Sequence, residues 1–136
     1  MVDGSSIESR LERLQELLAE LDEIRDGGRE AWNADPRVRL ATERALQLSI
    51  QVCIDIAGHL ISELKLPMPP DYRTLFPELT AAGLDPALAK RLGAAAGLRN
   101  VLVHEYIDLD EDVVWGSLGL LDDLRGFAAF VVTKLA

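Results

Sequence analysis

Arg99, Asn100 and His104 are the residues of this 136-residue chain whose types and spacing best suit chemistry. They stand in the string Gly97-Leu98-Arg99-Asn100-Val101-Leu102-Val103-His104-Glu105-Tyr106. A helix turns about 100° per residue, so Asn100 and His104 become i,i+4 neighbours on one face. Arg99 falls at the edge of the same arc, and Tyr106 returns to its side if the helix persists that far. Leu98 and Leu102 point elsewhere and can anchor the helix in a core. Arginine offers a planar fork suited to phosphate. Histidine, with an ordinary pKa of about 6.5, gives or takes a proton near neutrality. Asparagine can orient an imidazole or donate to a phosphoryl oxygen. The set suits metal-independent cleavage of a phosphodiester. A base activates a ribose 2′-OH, the arginine stabilises charge on phosphorus, and an acid protonates the leaving oxygen. One histidine on the strip is short for both proton roles, and a two-fold dimer through this helix supplies a second. The same spacing also fits plainer roles: Arg99 pairing with a surface carboxylate, and His104 resting at the negative pole of a helix.

These residues need a scaffold, and the sequence reads as five helices. In the first, Ser5 as N-cap and Glu8 three residues later form a capping box. Ile7, Leu11, Leu14, Leu18 and Leu21 follow at 4-3-4-3 spacing, the core stripe of a bundled helix, with docking of a partner as the other use. Gly27-Gly28 weakens it, with a further turn running on to Asn33. Asp35-Pro36 opens the second helix, which runs to about Lys65. Its apolar positions are Leu40, Leu46, Ile50, Ile54, Ala57 and Ile61. Pro67, Pro69 and Pro70 make a breaker loop. A short third helix follows Asp71-Tyr72-Arg73. Pro77 places its regular part nearer Thr74, or puts a 3₁₀ turn first, and Gly83 ends it. Asp85-Pro86 starts the fourth helix, which ends near His104. Asp108 or Asp110 caps the fifth, with Val113, Val114, Leu118, Leu121, Leu124, Phe127 and Val131 on its apolar face. No strand alternation or repeat appears. Short connections imply antiparallel neighbours, so the expectation is an all-α, up-and-down bundle of about five helices in one domain over residues 1–136.

Composition agrees. Hydrophobic residues make up 49% of the chain and aromatics only 5%, which favours helices over a β-sandwich. The net charge is -9, which argues against gripping nucleic acid mainly by non-specific phosphate neutralisation. That charge is uneven: residues 1–35 carry 4 basic and 10 acidic residues and residues 107–136 carry 2 and 6, whereas residues 85–106 carry 3 and 2. An RNA site on the fourth helix therefore implies a small cleft, few phosphate contacts and a shallow salt dependence. The lone cysteine, Cys53, excludes an internal disulfide and a cysteine-built zinc site, and reads as a small core residue. No apolar h-region follows the polar first six residues, and no apolar run reaches about 18 residues, so a cytoplasmic, soluble chain without a membrane span is expected. Asp55 and His59 form an i,i+4 pair that reads as a helix-stabilising contact or a buried polar link, with a supporting role at the site as the alternative. Trp115 and Phe127 read as core rather than base-stacking platforms.

Arg99, His104 and Tyr106 reproduce the R-x4-H-x-Y signature of HEPN-domain toxins, and the longer string from Gly97 to Tyr106 resembles their HepT branch. Glu43-Arg44-Ala45-Leu46-Gln47 and the stretch from Cys53 to Ile61 are similar to that branch's second helix. Asp71-Tyr72-Arg73-Thr74-Leu75-Phe76 is similar to the start of its third. The likeness spans roughly residues 7–130 and departs at no motif position. It implies the toxin of a type II (type VII-like) toxin–antitoxin pair: a homodimeric, metal-independent endoribonuclease, without cofactor, whose Arg99, Asn100 and His104 line a cleft at the dimer interface. It also implies an antitoxin that is a minimal nucleotidyltransferase and transfers AMP to Tyr106. Such a group adds charge and bulk beside Arg99 and His104 and blocks RNA. The alternative within the same fold is a non-catalytic nucleotide-binding or partner module of a nucleotidyltransferase complex.

Overall fold

The computed structural model describes residues 4–105 and 107–135, and no strand runs through them. The first helix, α1 (Gly4–Asp26), buries Ile7, Leu14, Leu17, Leu18 and Leu21. The expected stripe is therefore core, with Leu11 half-buried at its edge. The helix already begins at Gly4, so Ser5 sits inside the first turn and not at the cap. Arg10 instead donates to the Ser6 hydroxyl and, at 3.2 Å, to the Ser6 carbonyl. Gly28, with φ +88°, makes the left-handed turn into the short α2 (Arg29–Ala34).

Asp35 and Pro36 open α3 (Pro36–Glu63) as expected: the Asp35 carboxylate accepts from the Arg37 backbone N–H at 2.9 Å. By length and composition α3 is apolar enough to cross a bilayer, but 56% of its most apolar window is buried inside the protein. It is the central helix of the bundle. Leu46, Ile50, Ile54, Ala57 and Ile61 are buried, whereas Leu40 is 65% exposed and belongs to the outer face. Thr42, fully buried, accepts from Trp32 Nε1 at 2.9 Å and donates to the Val38 carbonyl at 2.7 Å, so α2 is fastened to α3 without an orphaned polar group.

The third segment divides as the proline demands. A 3₁₀ turn (Tyr72–Thr74) leads into α4 (Leu75–Glu78), and a second 3₁₀ turn (Leu79–Ala82) ends at Gly83 with φ +105°. Asp85 accepts from the Leu88 N–H at 3.0 Å to cap α5 (Pro86–His104). Asp110 accepts from the Asp112 N–H at 2.9 Å to cap α6 (Glu111–Gly116). The expected fifth helix is not one rod. It tightens to 3₁₀ over Ser117–Leu120 before α7 (Leu121–Val132). Gly116 precedes this stretch and Gly119 lies within it, and both hold the α-helix weakly. The break shifts the helical phase, leaving Val113 half exposed at 50% while Val114, Leu118, Leu121, Leu124, Phe127 and Val131 stay buried. Phe76 and Phe127 meet edge to face, 5.1 Å between ring centres, at the heart of the core.

Candidate active site

The site is built where the 3₁₀ turn Tyr72–Thr74 lies on α5. Asp71 shapes that turn by accepting from the Thr74 N–H at 3.1 Å and the Thr74 hydroxyl at 3.0 Å. Two glycines one helical turn apart let it come close. A Cβ on Gly93 would stand 2.8 Å from the Arg73 carbonyl oxygen, and a Cβ on Gly97 would stand 2.7 Å from Arg73 Nη2. The Arg73 guanidinium thus rests against bare backbone two residues before Arg99. A side chain at Gly93 would press on the backbone of the turn, and one at Gly97 would displace the Arg73 guanidinium.

Arg99 is half-buried, and its guanidinium lies 5.8 Å from the ring centre of Tyr72. Its Nη1 donates to Asn100 Oδ1 at 3.0 Å, while its buried Nε has no hydrogen-bond partner. Among the described residues neither Arg73 nor Arg99 joins an ion pair, so the pairing of Arg99 with a surface carboxylate is not formed. The acid-rich ends of the chain engage other arginines instead: Arg29 with Asp112 at 2.6 Å, Arg39 with Glu111 at 3.2 Å, and Arg125 with Asp22. His104 is the last residue of α5 and is exposed. The helix closes behind it through the Glu105 N–H to the Val101 carbonyl at 2.9 Å. The structure therefore joins Arg99 to Asn100 and sets His104 a turn further on, with no hydrogen bond to either among the described residues. Tyr106 lies outside the described residues.

Tyr72 and Arg73 are the members that spacing along one helix did not bring out. The signal for them was present in Gly93 and Gly97, an i,i+4 glycine pair in a helix that is otherwise rich in alanine and leucine. Asp55 and His59 take a different place from the one their spacing suggests. Both are exposed, and Asp55 Oδ1 accepts from Gln51 Nε2 at 2.8 Å rather than contacting His59. Phe127 is fully buried and Trp115 packs on Trp32, so both are structural. Cys53 is also buried, and burial pushes its thiol well above the usual range, which suits a packing residue and not a nucleophile.

An amide-braced guanidinium, a second guanidinium from a neighbouring turn and an exposed imidazole at the end of the same helix are the groups of a candidate anion site. On a helical bundle, such a set suits phosphodiester cleavage. Residues 7–131 match the family model described as Ribonuclease HepT-like. The tRNA nuclease HepT of Aphanizomenon flos-aquae is 38% identical over 113 residues, covering 82% of this chain and 77% of that one. The mRNA nuclease HepT of Shewanella oneidensis is 37% identical over 70 residues, 51% of this chain and 53% of that one. Among solved structures, a tri-AMPylated Shewanella oneidensis HEPN toxin in complex with MNT antitoxin superposes with a TM-score of 0.84 at 25% identity, covering 97% of this chain and 99% of that one. The chain belongs to the HepT-like ribonuclease family.

Proposed function

We propose that this chain is the endoribonuclease toxin of a toxin–antitoxin pair and that it cuts RNA as a homodimer, without a metal ion, through Arg99, Asn100 and His104. The observation that carries this reading is the half-buried Arg99 guanidinium, braced by Asn100 and Tyr72 and free of any carboxylate partner among the described residues. A guanidinium held this way is preorganised for a phosphate. Because Asn100 Oδ1 accepts from Arg99, the amide nitrogen keeps both its protons for a phosphoryl oxygen. Arg73 adds a second fork.

In this reading His104 removes the proton from a ribose 2′-OH. The 2′-oxygen attacks phosphorus, the P–O5′ bond breaks, and the second copy's His104, protonated, delivers its proton to the 5′-oxygen. The products are a 2′,3′-cyclic phosphate and a 5′-hydroxyl, and the charge passing through phosphorus is held by Arg99 and Arg73. Half-buried Val103 and 82%-exposed Ile107 flank His104 on the chain and support a two-fold contact at this end of α5. Neutralisation runs through a nucleotidyltransferase antitoxin that transfers AMP to Tyr106. The likeness to a tri-AMPylated toxin bound to MNT antitoxin supports this.

The test is expression of the chain alone. Wild type arrests growth and cleaves RNA in the presence of EDTA, whereas Arg99→Ala and His104→Ala do neither. Equal behaviour of wild type and His104→Ala refutes the nuclease reading and leaves the non-catalytic partner module. Co-expression with the antitoxin adds AMP mass to wild type but not to Tyr106→Phe, and an unchanged wild-type mass refutes the modification.

A further inference from the structure

A cavity of about 700 Å³ opens next to this site, between α1, α3 and the proline-rich loop before Tyr72. Arg10, Asp55, Gly58, His59, Met68 and Tyr72 are among the residues that line it. Tyr72 is common to both places: the Arg99 guanidinium lies over its ring, and the residue also lines the cavity. The cavity therefore begins where the proposed phosphate site ends.

Gly58 shows what the space is for. It sits in the middle of α3, where glycine is a poor helix former. Its backbone is not left-handed, since the positive-φ glycines among the described residues are Gly28 and Gly83. Beyond its chain neighbours and the adjoining backbone of its own helix, no atom comes within 4 Å of where its Cβ would stand. Neither backbone conformation nor close packing calls for glycine here. What its missing side chain provides is volume in the cavity.

The lining is mixed in the manner of a nucleoside site. Tyr72 and Met68 offer flat and adaptable apolar surface to a base, Arg10 offers a cation, and Asp55 offers an acceptor. Asp55 Oδ1 is engaged by Gln51, which leaves Oδ2 for a ligand. A carboxylate accepts from the amino groups of adenine, cytosine and guanine. The edge of uracil sets a carbonyl oxygen on each side of its N3–H, and the carboxylate repels both.

We propose that this cavity is a nucleoside subsite of the ribonuclease: it holds the base of a substrate nucleotide next to the phosphate gripped by Arg99, and it selects amino-bearing bases over uracil through Asp55. The inference rests on the nuclease reading, and its test separates the two. Cleavage of short single-stranded RNAs that vary at one position beside the cut is measured for wild type, Gly58→Leu and Asp55→Asn. Binding of the same oligonucleotides, carrying 2′-O-methyl groups to prevent cleavage, is measured by anisotropy. Gly58→Leu intrudes on the cavity and favours the helix, so its circular dichroism matches wild type. It raises KM and weakens oligonucleotide binding about tenfold or more, while Asp55→Asn, close in shape, narrows the discrimination against uridine by about tenfold. If wild type cleaves RNA and both variants keep its KM and base preference, the subsite is refuted while the nuclease reading stands. If wild type cleaves nothing but binds oligonucleotides and Gly58→Leu loses that binding, the nuclease reading fails and the nucleoside site stands. If free AMP binds and Gly58→Leu abolishes this without changing RNA cleavage, the cavity serves the antitoxin's nucleotide or a free one, and the substrate subsite is refuted.

Discussion

Replacing Gly97 by alanine separates the stability of α5 from its chemistry. Inside a helix, alanine is favoured over glycine by about 1 kcal/mol. The nearest atoms to the new methyl all belong to the Arg73 guanidinium: Nη2 at 2.7 Å, Nε at 3.0 Å and Cζ at 3.3 Å. That group is the far end of an exposed, flexible side chain, so it swings aside at little cost. Gly97→Ala is therefore as stable as wild type or more stable by up to about 1 kcal/mol. The displaced Arg73 leaves the proposed phosphate site. A charge-assisted hydrogen bond of roughly 1.5–3 kcal/mol then disappears, which is about 10- to 150-fold in kcat/KM. Gly93→Ala is the contrast. Its methyl meets the Arg73 carbonyl oxygen at 2.8 Å, which is backbone in a turn pinned by Asp71. Overpacking of roughly 1–3 kcal/mol outweighs or cancels the same helix gain of about 1 kcal/mol, so this variant is unchanged to about 2 kcal/mol less stable. Urea unfolding followed by circular dichroism, with single-turnover cleavage of a defined RNA, measures both effects. Arg73→Ala is the control, and adding it to Gly97→Ala costs no further activity because both remove one contact. A Gly97→Ala protein that cleaves RNA as wild type does removes Arg73 from the phosphate site. A Gly93→Ala protein stabilised by the full helix increment means that the turn is not seated on α5 as described.

Three further outcomes follow from groups outside the site. Thr42→Val strands the buried Trp32 N–H and lowers stability by about 1–3 kcal/mol in urea unfolding, and an unchanged midpoint contradicts that bond. Burial, and then the Glu111 carboxylate, raise the Glu43 carboxyl above its ordinary 4.5 against the opposing pull of Arg39. The folded chain holds that proton more tightly than the unfolded one, so stability falls as pH rises from 4.5 to the raised value and stays lower above it. Glu43→Gln removes this fall and is more stable than wild type at neutral pH, and identical pH profiles would disprove the shift. Iodoacetamide leaves Cys53 unmodified in the folded protein and alkylates it in urea, as mass spectrometry can check; rapid labelling of the native chain contradicts its burial.

What was legible in the sequence was local. Asp35, Asp85 and Asp110 each cap the helix that their spacing announces, because a cap needs only a carboxylate and the next two or three backbone N–H groups. Pro77 correctly forces a 3₁₀ turn before α4. Ser5 misled, because the helix extends to Gly4 and carries it inside. Leu40 and Val113 misled for a different reason. Their periodicity is genuine, but the surface each helix buries is set by its neighbours, and the 3₁₀ stretch at Ser117–Leu120 rotates one half of the last segment against the other. At the site, the Arg99–Asn100 bond lies within one helix and was readable as a shared strip. The arrival of Tyr72 and Arg73 was not, since it depends on one element settling onto another. The net charge of -9 looked adverse to RNA. The structure pairs Asp112, Glu111 and Asp22 of those acid-rich ends with Arg29, Arg39 and Arg125, while Arg73 and Arg99 remain outside the ion pairs of the described residues.

The two tryptophans of the chain share one place. Trp32 and Trp115 lie 5.4 Å apart between ring centres, tilted by 50°, with the Arg29 guanidinium 5.4 Å from one ring and 6.0 Å from the other. Tryptophan emission, excited selectively at the red edge of the absorption band, therefore reports a single joint, the one that closes α2 against α6. That emission shifts when α2 and α6 part. The protein thus carries an optical gauge of how its own helices assemble.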